Sequence, residues 1–533
     1  MADFPWLTVM LVVPLVGAAV LWAPTPLRDR AREVALGFAL VELVVAVLAV
    51  VAFDTGHAGT YQLTETHSWI GTLGVSYALG VNGVSLALIV MSVLLVPLVV
   101  LAAWREQGSE KLATGNLRRY LALALVLETF MVGVFAARDV FFFYLLFEAM
   151  LIPVYFMIGS YGGDPARRRH AALKFLLYSL VGGLVMLVGV VYLGTRGQDG
   201  NGRFLTENLT PDALAALGTP LTTTEGRWVF LSFFVAFAIK APMFPVHTWL
   251  PDAAEQAPAG TSALLVGVLD KVGTFGMLTL CLPLFPEASQ WAAPVIIVLA
   301  LVSVIYGALL AIGQKNMFRL VAYTSVSHFG FIVLGIFAIF PLGSSSGGTS
   351  VAGSSFYMVN HGLSTGALFL LVGFLVARRG SPLVADFGGL QKVVPVLSGL
   401  FLVVGLSVLS LPGLSTFVSE ILVLVGTFPQ HPVAGIVAAL GVVLAAIYVL
   451  WLYQRAFTGG VPDNTPEQDG RSLPPLSGMR DVRALERWAI VPLVAVMLVL
   501  GFWPRPALDL VRPPAEQTVS TLHNVLVDAE ADK

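Results

Sequence analysis

Long apolar runs separated by short polar stretches make up most of the chain. A run of about 20 apolar residues is what a helix needs to cross a bilayer. On that measure about fourteen spans are predicted, near residues 5–23, 33–53, 82–103, 118–136, 139–159, 171–194, 228–244, 260–285, 292–313, 316–340, 355–377, 394–427, 432–457 and 485–503. The first run, MADFPWLTVMLVVPLVGAAVLW, has no basic region ahead of it, and Arg28, Arg30 and Arg32 follow it. It therefore reads as a retained helix and not as a cleaved signal. The predicted class is an all-α integral membrane protein.

Two runs are interrupted. In AIKAPMFPVHTWLPDAAEQAP, residues 238–258, Pro242 and Pro245 deny the carbonyls of Ala238 and Ala241 their helical donors beside Lys240. Freed backbone groups cannot face hydrocarbon, so this segment is expected against protein or a water-filled cavity. In LSVLSLPGLSTFVSEILVL, residues 405–423, Pro412 and Gly413 break the run and Glu420 follows. Lys240 and Glu420 are 180 positions apart, as are Glu148 and His328, and LVGGLVMLVG (180–189) loosely echoes STGALFLLVG (364–373). Broken helices at corresponding places in two halves point to inverted repeats of five helices each. The predicted divisions are an N-terminal three-helix segment over 1–117, a first repeat over 118–285, a second, inverted repeat over 292–457, and 458–533 as linker, last span and tail.

Composition agrees: 57% of residues are hydrophobic, 12% are charged, and the formal net charge of -2 offers no basic surface for nucleic acid. The single cysteine, Cys281, excludes an intrachain disulfide and a cluster needing about four thiolates from this chain. Charge also orients the spans, because Lys and Arg gather in cytoplasmic loops. Of the 30 basic residues, 20 fall on one side of the predicted topology, seven on the other, and three (Lys174, Lys240, Lys271) inside spans. The loops at 54–81, 286–291, 341–354 and 428–431 carry none. Both termini are thus expected on the non-cytoplasmic side, with 104–117 and the proline-containing linker 456–484 inside; the tail 504–533 is a candidate contact for a neighbouring subunit.

Ionisable groups within spans are costly, and they are functional candidates by default. Here they are Glu42, Glu128, Glu148, Lys174, Lys240, Asp270, Lys271, His328, His361 and Glu420, with His247 and Asp252 in the first break. Each has a structural explanation: Lys174 could snorkel from its helix end, Asp270 and Lys271 could pair locally, and a histidine could bridge helices. Two lysines and two glutamates together are not accounted for in that way.

The motifs FYLLFEAMLIPVYFMIG, KFLLYSLVGGLVML, AFAIKAPMFPVHTWLPDA, LDKVGTFG, LVAYTSVSHFGFIVLG, NHGLSTGALFLLVG and LPGLSTFVSE resemble, over about 120–460, the antiporter-like subunits of respiratory complex I. The acidic Glu420, where other branches carry lysine, and the lack of a long C-terminal extension resemble one branch of that family. The resemblance implies a proton channel in a bacterial inner membrane, with no cofactor in this chain and with FMN and iron-sulfur clusters in other subunits. It implies as partners other membrane subunits of the complex, above all the neighbouring antiporter-like ones. It also implies that Glu148 pairs with Lys240, that Lys271 lies between the halves, that His328 and His361 continue the relay and that Glu420 ends it, with Lys174 and His247 secondary. Two positions depart from the family pattern: Ala254 stands where a histidine is usual, and Asp270 where an apolar residue is common. A sodium/proton antiporter or membrane-bound hydrogenase subunit shares the same core. A haem protein using His328 and His361 is a third reading, which leaves the lysines and glutamates unexplained.

Overall fold

The computed structural model describes residues 4–23, 30–103, 114–198, 200–342, 347–461, 467–468 and 471–531. Arg28, Arg105, Lys111, Lys533, most of the 104–117 loop and part of the 456–484 linker lie outside the described residues. The helices are α1 (Trp6–Trp22), α2 (Ala31–Ala52), α3 (Gly83–Ala103), α4 (Thr114–Ala136), α5 (Val140–Tyr161), α6 (Pro165–Gly194), α7 (Thr223–Lys240), α8 (Trp249–Gln256) and α9 (Ala259–Leu284). They continue with α10 (Pro286–Ile312), α11 (Met317–Phe337), α12 (Gly347–Arg379), α13 (Pro395–Val408), α14 (Ser415–Thr427), α15 (Pro432–Phe457), α16 (Ala484–Phe502) and α17 (Arg505–Ala531). Among the described residues, eleven helices are long and apolar enough to cross a membrane, and α1, α13 and α14 are shorter apolar helices.

Burial divides them into two shells. The centre is α12, with α9 and α11 beside it, all three almost wholly enclosed. Outer helices turn large apolar side chains outward, including Val51, Val188, Val295 and Val433. An apolar exterior around an interior holding Lys240, Lys271, His328 and His361 inverts the soluble pattern and suits lipid.

The helix ends are capped by residues the chain supplies locally. Asp139 accepts from Phe142 N at 2.9 Å at the start of α5, Asp164 from Ala166 N at 3.0 Å at the start of α6, and Asn316 from Phe318 N at 2.9 Å at the start of α11. Thr222 and Glu225 form a capping box on α7.

Three expectations change. The 54–81 loop contains an antiparallel hairpin, β1 (Gln62–Ile70) with β2 (Val75–Val81), turning at Gly74 with φ +75°. Among the described residues the protein is therefore mostly, not wholly, helical: a second, two-residue pair joins Glu467–Gln468 to Arg471–Ser472. The hairpin is useful to the fold, because Glu65 on β1 accepts from Leu7 N (2.9 Å) and Thr8 N (3.2 Å), capping α1 from outside its own sequence. Residues 286–291 are the first turns of α10. The expected loop 341–354 is largely the start of α12: its small residues read as loop, but they let α12 approach α14 closely, as at Gly353 against Leu422 and Val423.

The last helix, α17, lies across one end of the bundle against α12, α3, α9 and α10, so the segment expected to reach a neighbouring subunit packs first on its own chain. Its Leu510 carbonyl sits over Gly83, at the start of α3.

Candidate functional site

The first break runs from the end of α7 at Lys240 to the start of α8 at Trp249. The Ala238 carbonyl, deprived of a donor by Pro242, is taken by Met243 N at 3.0 Å, and the Ile239 carbonyl by the indole N–H of buried Trp249 at 2.9 Å. Of the two surroundings expected for the freed backbone, protein or a water-filled cavity, these two carbonyls have the first. Lys240 is 1% exposed and its ammonium has no hydrogen-bond partner among the described residues. It faces the ring of Phe147 at 4.8 Å and that of Phe175 at 5.9 Å. Glu148, next to Phe147 on α5, is its electrostatic neighbour, yet no ion pair between the two stands among the described residues. The Glu148 carboxylate rests on Gly183 of α6, where a Cβ would come within 1.7 Å of Oε1. Glycine is required there to leave the carboxylate its place.

Helix α9 opens into a π turn over Leu265–Leu269. The Asp270 N–H reaches back to Leu265 O (3.1 Å), which leaves the Val266 carbonyl to accept from Lys271 Nζ at 2.5 Å. Such widened turns often mark functional positions in helices. Lys271 Nζ also lies 2.6 Å from His361 Nδ1 on α12 and 5.1 Å from the ring centre of Phe329. The His361 ring meets the His328 ring edge-on, with centres 5.2 Å apart. His328 Nε2 is 3.1 Å from the Tyr448 hydroxyl, and its ring centre is 5.9 Å from that of Tyr357. Tyr357 in turn donates to Glu420 Oε2 at 3.2 Å, and Ser410, in the second break at φ +61°, donates to the same oxygen. Lys271, His361, His328, Tyr357 and Glu420 thus stand in sequence through the centre of the molecule. Tyr357, Tyr448 and Ser410 were not foreseen as site residues. Tyr357 had a signal, lying four residues before His361 on the same helix face.

Lys174 lies elsewhere: its Nζ is 2.6 Å from Asp252 and donates to Thr248 O at 2.8 Å. Arg319 holds the other Asp252 oxygen at 2.6 Å and Glu255 at 3.0 Å, making a charged rim at one end of the bundle. His247 is buried between Phe244, Tyr306 and Tyr323, away from the central sequence, and Ala254 is fully packed. Glu42 on α2 and Glu128 on α4 are electrostatic neighbours, both buried and with no hydrogen-bond partner among the described residues. Two cavities open at opposite ends of α10. One of about 320 Å³ lies under α17 beside Arg138, Glu207 and Thr279, and one of about 450 Å³ beside Arg167, Gln256 and Asn316. Among the described residues no group of three or more His, Cys, Asp or Glu is placed to hold a metal ion. A haem between His328 and His361 does not fit: the rings touch each other, and His361 Nδ1 is occupied by Lys271.

A multi-pass helical bundle with an apolar exterior, two proline-broken helices and a buried line of ionisable side chains defines an antiporter-type membrane protein. The model for "NADH:quinone oxidoreductase/Mrp antiporter, TM" matches residues 137–447, more than half of the chain. The chain is 43% identical over 550 aligned positions to the NADH-quinone oxidoreductase subunit M of Mycobacterium tuberculosis, covering 98% of this chain and 95% of that one. It is 37% identical to that of Rhodobacter capsulatus, covering 97% of each. It superposes on a chain of respiratory complex I from Thermus thermophilus with TM-score 0.81 at 31% identity, covering 97% of this chain and 99% of that one. A chain of the Mrp complex from Dietzia shares the fold, with TM-score 0.80 at 21% identity over 97% and 98% of the two chains. The chain belongs to the NADH:quinone oxidoreductase/Mrp antiporter transmembrane family, in its subunit M branch.

Proposed function

We propose that this chain is a proton-translocating membrane subunit of an NADH:quinone oxidoreductase, moving protons while electron transfer proceeds on FMN and iron-sulfur clusters in other subunits. The observation that carries this reading is the succession of hydrogen bonds and ring contacts from Lys271 through His361, His328 and Tyr357 to Glu420, buried in the three most enclosed helices and α14. The Glu148–Lys240 pair precedes it on the other side of the π turn. We assign the first repeat to 118–285 and the second, inverted, to 292–457.

Glu148 gates Lys240. With no partner of its own, the Lys240 ammonium is stabilised by how near the carboxylate lies. Closing such a pair from about 8 to about 4 Å at an effective dielectric near 20 is worth about 2 kcal/mol. Moving one proton against roughly 150 mV costs about 3.5 kcal/mol. One contact therefore supplies over half of the work, and a lysine holding or releasing its proton as that contact closes and opens is a workable switch. Beyond it, neutral imidazole rings can each accept a proton on one nitrogen and give one up from the other. Glu420, held by two hydroxyl donors, receives the proton last.

Inverted inner-membrane vesicles energised with NADH should acidify inside in sodium-free buffer, and the purified complex should contain this chain with the neighbouring antiporter-like subunits. Acidification that required sodium would favour the antiporter reading. We assign the end that carries the Asp252 rim and the Arg378–Glu486 pair to the cytoplasm, with both termini opposite; the excess of Lys and Arg in the loops at that end supports this. A cysteine at exposed Ala216 should react with an impermeant thiol reagent from outside intact cells, and one at exposed Ser477 should not; the reverse pattern would invert the topology.

A further inference from the structure

Lys240 and Lys271 belong to different parts of the line described above, and one ionisable side chain lies in the electrostatic field of both: Asp270. It is fully buried, and neither carboxylate oxygen has a hydrogen-bond partner among the described residues. Its position follows from the backbone. Gly273, three residues on and on the same helical face, meets the end of α7 so closely that a Cβ would lie 2.4 Å from Phe237 O and 2.6 Å from Ala241 N. That contact directs the Asp270 face of α9 toward the turn bearing Lys240, while the π turn draws the Lys271 ammonium the other way, onto Val266 O and His361. The charged and titratable groups facing Asp270 are Lys240 from α7 and Lys271 from its own helix, with Glu148 and His361 one step beyond. The order is carboxylate, ammonium, carboxylate, ammonium, imidazole.

We propose that Asp270 is the proton-transfer group that joins Lys240 to Lys271. The Lys240 ammonium gives an N–H proton to the Asp270 carboxylate, leaving a neutral amine and a carboxylic acid. The acid then gives that proton to Lys271, whose own proton has moved to His361, and the carboxylate is restored. Each step conserves charge over the donor and acceptor, and neither acid nor carboxylate needs a backbone donor, in keeping with the unpartnered oxygens. A buried carboxylate that lacks donors is tolerated only beside cations or when protonated, and the transfer alternates between those two conditions.

The inference rests on the relay reading, and the experiment separates the two. Asp270→Asn, Asp270→Glu and Lys240→Ala are compared in the intact complex in vesicles energised with NADH. The asparagine variant is expected to assemble and to lose pumping about tenfold or more, while the glutamate variant keeps a large part of it. The pH at which pumping is half-maximal is expected to move in Asp270→Glu, which a carboxylate serving only as fixed countercharge would not cause. Wild-type pumping by Asp270→Asn, with pumping lost in Lys240→Ala, overturns the role of Asp270 alone. Wild-type pumping by Lys240→Ala overturns the relay itself. Should the asparagine variant fail to assemble, the glutamate variant decides, and an unchanged pH profile at normal assembly overturns the proposal.

Discussion

Lys240→Ala is expected to leave the complex assembled and to lower NADH-driven proton pumping by about two orders of magnitude, with quinone reduction falling alongside. Assembly should survive because the ammonium makes no hydrogen bond whose loss would strand a partner, and the aromatic rings of Phe147 and Phe175 can close part of the space. The loss is functional: Glu148 has no cation to gate. Lys240→Arg is the sharper variant. Arginine keeps the charge, can face the same rings and cannot deprotonate in a protein. It should pump little better than alanine. A fully active arginine variant would show that the site needs only a fixed cation, and the switching account would be wrong.

Glu420→Gln is expected to assemble normally and to pump about tenfold more slowly or worse, with Glu420→Asp retaining part of the activity. The amide oxygen of glutamine can still accept from Tyr357 and Ser410, so the geometry of the second break is preserved while the titrating proton is lost. Proton uptake into inverted vesicles during NADH oxidation measures the effect. Uptake at the wild-type rate, at equal amounts of assembled complex, would make Glu420 a packing residue and place the release of protons elsewhere.

Much of this site was legible in the sequence because the bilayer makes buried charge and broken helices conspicuous. Lys240, Glu420, Pro242 and Pro412 stand out in any apolar run, and the structure places both breaks where those prolines predict. What was not legible depends on pairings far apart in the chain. Nothing near Lys271 announces that its partner is His361, 90 positions on, and tyrosines such as Tyr357 and Tyr448 are ordinary residues of apolar helices until they meet a carboxylate or an imidazole. The π turn over Leu265–Leu269 has no proline or glycine pair to betray it, only the single Gly267. The hairpin over Gln62–Val81 was hidden for a different reason: a search for runs of about 20 apolar residues cannot register strands of nine and seven.

The course of α17 has a bearing on biosynthesis. Every surface it covers, from Gly59 beside Gln517 to Gly83 beneath Leu510 and Gly347 beside Val519, is made earlier in translation than α17 itself. The cavity beside Arg138 and Glu207 is lined by Pro514, Gln517, Thr518 and Thr521 of this helix, so until it docks that end of the bundle has no roof. A chain cut or paused before α17 would therefore expose the residues around Gly59 and the start of α3 to quality-control proteases, whereas docked α17 shields them. Protection of these segments thus awaits the synthesis of α17, which follows every element it covers.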